Sequence, residues 1–79
     1  MYILGDIGNS ETKVFLVNSK KKVLKTITFS SKKINNKILN EKFKSFKNNY
    51  HKISKVLFCS VVPKSFKLIS NFLSKKINK

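Results

Sequence analysis

The sequence contains no arginine and no tryptophan, and its 79 residues include only two glycines, one proline and one cysteine. All 18 basic residues are therefore lysine, and together with three carboxylates they give a net charge of +15. A single cysteine excludes an internal disulfide. Arginine makes the bidentate contacts on which specific recognition of guanine and phosphate usually depends, so its absence argues against a sequence-specific nucleic-acid-binding protein.

Neither a targeting segment nor a membrane span is predicted from the sequence. The amino terminus has no basic region ahead of its apolar residues, and Asp6 interrupts the first apolar run, which argues against a signal peptide. The longest apolar stretch is too short to cross a bilayer. These features predict a soluble, cytoplasmic protein without a membrane partner.

Two residues with reactive side chains have simple structural interpretations. Cys59 lies in the apolar run "VLFCSVV" and is expected to be a small buried thiol. His51 has no second histidine and no nearby acid, so we expect a solvated loop residue rather than a metal ligand or a base.

The first part of the chain predicts a three-stranded antiparallel meander. Residues 2–7, 12–18 and 22–29 are rich in β-branched and aromatic side chains, and the segments between them are rich in turn-forming residues. In the third strand, the period of two puts Val23, Lys25, Ile27 and Phe29 on one face. We expect one face of the meander to pack inward and the other to stay partly in water.

The second part predicts a helix, a strand and another helix. Residues 34–50 are expected to form one amphipathic helix with Asn35 or Asn36 as its cap. Residues 55–62 lack alternation, which predicts a central parallel strand covered on both faces and placed beside the first strand. Pro63 suits the first turn of the second helix. The order β-β-β-α-β-α is that of an α/β fold.

Each predicted helix carries one apolar stripe at helical spacing. The stripe of the first helix consists of Leu39, Phe43, Phe46 and Tyr50, and that of the second of Phe66, Ile69, Phe72 or Leu73, and Ile77. Packing against the sheet is the expected use of both stripes.

The stretch "DIGNSETK" places a carboxylate at the end of the first strand and a glycine in the turn that follows. Gly8 can adopt a positive φ that brings backbone amides close to an anion, while Asn9, Ser10 and Thr12 add short polar side chains. Lys13 adds a cation. Since Asp6 would repel phosphate, the arrangement favours a hydrated Mg²⁺ between them, although a plain hairpin capped by Asp and Asn explains the same residues.

"DIGNSETK" at 6–13 resembles the first phosphate motif of the superfamily of sugar kinases, heat-shock proteins and actin, in the form typical of type III pantothenate kinases. "SVVP" at 60–63 resembles a second segment that recurs in those kinases. The resemblance implies a ribonuclease H-like (actin-like ATPase) half domain with a mixed sheet. Residues 1–79 would be its amino-terminal part, and the second domain would lie outside this chain.

The resemblance also implies an activity, which is ATP-dependent phosphorylation of pantothenate, the first step of coenzyme A biosynthesis. Family members are homodimers that need Mg²⁺ and a monovalent cation, K⁺ or NH₄⁺. ATP and pantothenate would be the ligands of the complete protein.

Residue roles follow from the resemblance by position. The residues expected to bind the ATP phosphates are Asp6, Ile7, Gly8, Asn9, Ser10, Glu11, Thr12 and Lys13. Asp6 would hold Mg²⁺ through water, Gly8 and Asn9 would shape the turn, and Ser10, Thr12 and Lys13 would contact phosphate. Ser10 replaces the usual threonine and keeps its hydroxyl, whereas Glu11 stands where the family often has asparagine and adds a negative charge.

The rest of the catalytic apparatus is expected beyond Lys79. The general base, the pantothenate-binding segments and the adenine pocket of the family lie further along the chain, so no catalytic residue is assigned here. Phosphoryl transfer depends on positioning from both sides of a cleft, and we expect the 79 residues alone to be inactive.

Two other classes of function stay open from the sequence. A small basic nucleic-acid-binding protein could use lysines such as those at 20–22 to neutralise phosphates. The lysines are spread along the segments rather than collected on one arm, and the spacing of the phenylalanines is explained by the core. We therefore expect nucleic acid to bind only non-specifically, through charge. A non-catalytic nucleotide-binding subunit would instead pair with a separately encoded second half.

Overall fold

The computed structural model describes residues 1–77 and contains one mixed four-stranded sheet with the order β3-β2-β1-β4. The strands are β1 Tyr2–Ile7, β2 Glu11–Val17, β3 Val23–Ser30 and β4 Lys55–Ser60. The helices are α1 Asn36–Lys42 and α2 Pro63–Ile77, with 3₁₀ segments at Ser31–Lys33 and Phe43–Lys52. Within residues 1–77, no helix is both long and apolar enough to span a membrane.

The predicted meander and the predicted position of the fourth strand are confirmed. β1 pairs with β2 and β2 with β3 in antiparallel register, while β4 lies parallel to β1 with Tyr2 opposite Lys55. Two parallel strands joined through a helical connection, beside an antiparallel meander, are the arrangement expected of the amino-terminal half of an actin-like ATPase domain.

The hydrophobic core lies between one face of the sheet and the helical segments. It takes alternate residues of the strands, as the period of two requires, and the apolar stripes of the helical segments. Its buried members are Ile3, Ile7, Val14, Leu16, Phe29, Leu39, Phe43, Phe46, Ile53, Ile69, Phe72, Leu73 and Ile77. Phe66 departs from the predicted stripe because it is 41% exposed. In β3 the core is reached only near the carboxyl end, by Phe29 and partly by Ile27, whereas Val23 and Lys25 are exposed.

The prediction of one α-helix over 34–50 is wrong. α1 ends at Lys42, and residues 43–52 continue as a 3₁₀ helix. Asparagine, serine, phenylalanine and histidine are weaker helix formers than alanine or leucine, and they dominate the second part. With three residues per turn, Phe43 and Phe46 also lie on the same side of the helix. Their rings pack edge to face, with the ring centroids 5.4 Å apart. His51 is exposed, as expected, but it lies in this 3₁₀ helix rather than in a loop.

The prediction that β4 is a central strand covered on both faces is also wrong. β4 lies at an edge of the sheet, and Leu57 is 52% exposed. Cys59, predicted to be buried, is exposed on the same strand. The apolar composition of this segment shows only that it favours a strand, and among residues 1–77 no element covers its outer side.

Candidate functional site

The carboxyl ends of β1 and β4 lie side by side, because the two strands are neighbours and parallel. We call this end of the strands the carboxyl edge of the sheet. Ile7 lies opposite Ser60, and the Val61 N–H donates to the Ile7 carbonyl over 3.1 Å. The β1–β2 turn, residues 8–11, and the first turn of α2 therefore start from the same edge. In open α/β sheets this edge is where ligands bind.

The turn is closed by a backbone hydrogen bond from the Gly8 N–H to the Glu11 carbonyl at 3.0 Å. The expectation of a positive φ at Gly8 is wrong, since no described glycine has one. Glycine is favoured there for another reason. A Cβ at Gly8 would lie 3.2 Å from the Glu11 carbonyl oxygen, which is tighter than ordinary van der Waals contact.

The tip of the turn presents free hydrogen-bond donors. Within residues 1–77, the backbone N–H groups of Asn9 and Ser10 donate to no protein acceptor, and both side chains are exposed. Adjacent free amides at a turn attract anions because their N–H dipoles point at the ligand. The tip can therefore bind an oxyanion such as a phosphate group.

Asp6 lies on the face of the sheet opposite to the core. Ile3 and Ile7 are buried, so the alternation along β1 directs Asp6 to the other side, where it is exposed. Its antiparallel partner on β2 is Lys13, which is exposed on the same face. This explains an acid within an apolar run, because Ile3 and Ile7 point into the core whereas Asp6 points away from it, to the solvent-exposed face of the sheet.

One ion pair is found within residues 1–77, between Lys13 Nζ and Glu11 Oε1 at 3.9 Å. Both side chains are more than half exposed. Such exposed pairs contribute about 0–1 kcal/mol, so Lys13 can exchange this partner for an anion at little cost. The pair also places the extra negative charge of Glu11 against a cation.

The residues of the turn fit Mg²⁺ that is bound together with substrate phosphates, but not Mg²⁺ held by protein ligands alone. Within residues 1–77, no group of three or more His, Cys, Asp or Glu side chains could hold a metal ion. A cage made entirely of protein ligands is therefore absent from this part of the chain. Mg²⁺ usually keeps several waters and binds one or two carboxylates together with substrate phosphates, and the exposed Asp6 fits that mode.

The structure places the Thr12 hydroxyl away from the tip. Thr12 is fully buried, and its Oγ1 lies 2.7 Å from Ser31 Oγ. Ile7 is fully buried as well and belongs to the core. Neither side chain faces solvent beside the free amides, so both act on the turn from within the fold.

The comparisons with known proteins agree with the geometry of this edge. The model of the type III pantothenate kinase family matches residues 2–79. The chain belongs to the type III pantothenate kinase family. It is similar to a type III pantothenate kinase of Pelagibacter ubique (strain HTCC1062), with 47% identity over 75 residues. The match covers 95% of this chain and 30% of that protein, so the chain spans less than a third of the relative's length.

In this member of the pantothenate kinase family, Ser31 and Ser65 also lie next to the turn, and the sequence did not predict either of them. Ser31 begins the 3₁₀ segment after β3, and Ser65 lies in the first turn of α2. Both are buried and hydrogen-bonded beneath the turn. Serine is common in loops and at helix starts, so no sequence signal separated these two from the other serines of the chain.

Proposed function

We propose that this chain forms the amino-terminal part of an enzyme that transfers the γ-phosphoryl group of ATP to pantothenate, the first step of coenzyme A biosynthesis. One observation carries the proposal. In a chain of the type III pantothenate kinase family, the free Asn9 and Ser10 amides lie at the sheet edge that is expected to bind the ligand. The open face beside them carries a carboxylate and a lysine.

The phosphate groups of ATP are held by the tip of the turn in this proposal. The Asn9 and Ser10 amides and the Ser10 hydroxyl donate to phosphate oxygens, and Lys13 moves from Glu11 to the phosphate. Gly8 keeps the turn tight. Phosphate recognition therefore uses donors that the fold leaves free.

Asp6 is the residue that would hold Mg²⁺, through water. Bound between Asp6 and the phosphates, the ion would neutralise charge on the phosphate oxygens. Without it, the negative charges of Asp6 and ATP would repel one another. Ile7 and Thr12, both buried, fix the strand ends on either side of the turn.

The remaining parts of the proposal rest on the family. They are the use of K⁺ or NH₄⁺, a homodimeric state and a cytoplasmic location. We assign the adenine pocket, the pantothenate pocket and the general base to segments like those that the longer relative carries beyond the matched region. We therefore propose that catalysis needs those segments, since catalysis by positioning requires both sides of the cleft.

The test is an assay of a complete protein that bears this amino terminus, with ATP, pantothenate and saturating Mg²⁺. We expect phosphorylated pantothenate from the parent and loss of most activity in Asp6→Asn, because asparagine keeps the size of the side chain and removes its charge. Glu41→Gln is the matched control, since Glu41 is an exposed carboxylate on α1. Asp6→Asn activity within twofold of the parent, about 0.4 kcal/mol of barrier, would contradict the role of Asp6.

The surface of residues 1–77 does not favour the alternative of a specific nucleic-acid-binding protein. Single-stranded nucleic acids are usually held by exposed aromatic side chains on which bases stack. The phenylalanines of the core cluster are buried, and these are Phe29, Phe43, Phe46 and Phe72. Phe66 is 41% exposed, but its ring packs against that of Phe58. Exposed lysines then bind phosphate polymers mainly through charge.

A further inference from the structure

Ser31 connects three parts of the molecule through all of its polar groups. Its N–H donates to the Ser10 carbonyl at 3.0 Å, and its hydroxyl lies 2.7 Å from that of Thr12. Its carbonyl accepts the Ser65 hydroxyl at 3.2 Å. We call Ser31 with these three bonded partners, Ser10, Thr12 and Ser65, the Ser31 hub.

Three of the four hub residues are buried, so their hydrogen bonds are shielded from water. Thr12, Ser31 and Ser65 are at most 6% exposed, and within residues 1–77 no buried side-chain polar atom lacks a partner. Losing one partner of a buried hydrogen bond leaves the other without solvent to replace it, and this costs about 1–3 kcal/mol. The hub therefore has one satisfied arrangement, and movement of a member breaks a bond.

The hub bonds directly to the phosphate turn on one side and to α2 on the other. Ser10 is at the tip of the turn and Thr12 follows it on β2, whereas Ser65 belongs to the first turn of α2. Ser65 has no hydrogen bond to residues 8–12. The Ser65 hydroxyl is thus linked by hydrogen bonds to the tip of the turn through Ser31.

We propose that Ser31 is a positioning residue for phosphate binding, which fixes the Asn9 and Ser10 amides relative to the first turn of α2. The proposal rests on the proposed function, in which those amides hold the ATP phosphates. Free donors at a turn bind an anion well only if their direction is set before the ligand arrives. The Ser31 hub sets that direction from the protein interior without touching the ligand.

The test uses the complete protein bearing this amino terminus and compares Ser31→Ala and Ser65→Ala with the parent. We expect both alanine variants to raise hydrogen exchange of the hydrogen-bonded amides among residues 8–13 at least tenfold and the KM for ATP at least fivefold, with a smaller change in kcat. Ser74→Ala is the matched control, because the Ser74 hydroxyl donates to Asn71 within α2 and is exposed.

Ser65→Ala is the most informative variant, since the Ser65 hydroxyl is linked by hydrogen bonds to residues 8–13 through Ser31. Unchanged exchange of residues 8–13 in Ser65→Ala would overturn the proposal. So would an equal rise in residues 14–17, the core part of β2, because that result means general loss of stability. If the parent makes no phosphorylated pantothenate, the proposed function fails, and the exchange data still decide whether Ser31 positions the turn.

Discussion

Gly5 lies in β1 directly opposite Phe58 of β4, and the Phe58 ring covers it. A Cβ at Gly5 would overlap three carbons of that ring. Glycine weakens a strand by itself, but an aromatic residue on the neighbouring strand compensates by covering it. Phe58 in turn contacts Phe66, with ring centroids 6.3 Å apart. The small residue before Asp6 thus leaves room for the Phe58 ring over β1.

We expect Gly5→Ala to lower the free energy of unfolding by about 1–3 kcal/mol, because the Phe58 ring has to leave its place. Urea denaturation measures the change. In a Phe58→Ala background the same substitution meets no ring and should be neutral or stabilising by about 0.4–1 kcal/mol, since alanine restricts the unfolded chain. Equal effects in the two backgrounds would show that the contact has no part in the cost.

Single residues of the site differed in how far the sequence could predict them. Asp6 and Gly8 stood out because an acid in a strand and a glycine after it are unusual in this composition. The sequence predicts Thr12 at the ligand, because short polar residues near a turn look alike in sequence whether their hydroxyls point outward or, like that of Thr12, inward. Ser31 lies 19 residues from Thr12, and only the β2–β3 register brings the two together.

Among the elements, the segment from Asn36 to Lys52 shows that the sequence can predict which residues are buried without predicting the type of helix. Leu39, Phe43 and Phe46 of the predicted stripe are buried and Tyr50 is partly buried, so the change from α1 to a 3₁₀ helix does not alter which side faces the core. Periodicity measures hydrophobicity, and spacings of three and four suit both helix types over two turns. For β4 as well, only part could be predicted from the sequence. An apolar run indicates a strand, but it does not indicate which elements lie next to that strand.

The start of α1 gives a prediction at this scale. The Asn35 side chain accepts a hydrogen bond from the Ile38 N–H at 2.9 Å and caps the helix, which resolves the choice between Asn35 and Asn36. Asn35→Ala should destabilise the protein by about 1 kcal/mol through loss of this cap. Asn36→Ala is the matched control and should be neutral or slightly stabilising. Thermal unfolding of the two variants compares them, and equal melting temperatures would contradict the assignment.

For the whole molecule, the net charge of +15 determines how the 79 residues behave without further segments. Exposed lysines on every described element except β1 contribute to it, so the positive potential is spread over the molecule rather than marking one site. Any phosphate polymer is attracted through counterion release. The exposed turn at residues 8–11, by contrast, offers ATP a few donors in open water, where each contact is weak.

We therefore expect the 79-residue chain to bind ATP weakly or not at all and to bind oligonucleotides of any sequence. Between roughly 50 and 200 mM salt, affinity for oligonucleotides should fall by about a thousandfold if six or more phosphates are contacted. Filter binding with random and defined oligonucleotides measures this. Tight binding of one sequence at the higher salt concentration would require base recognition and would favour the nucleic-acid alternative over the kinase.

The central position of β1 also affects how the chain folds during its synthesis. β2 follows β1 after a short turn, whereas the partner on the other side, β4, begins at Lys55. At about 5–20 residues per second, the 24 residues between Ser30, where β3 ends, and Lys55 take roughly 1–5 s to be added. For that interval β1 keeps an unpaired edge and the β1–β3 meander keeps an uncovered apolar face. Lysines on its turns and strands then act as gatekeepers, since like charges keep nascent chains from pairing with one another.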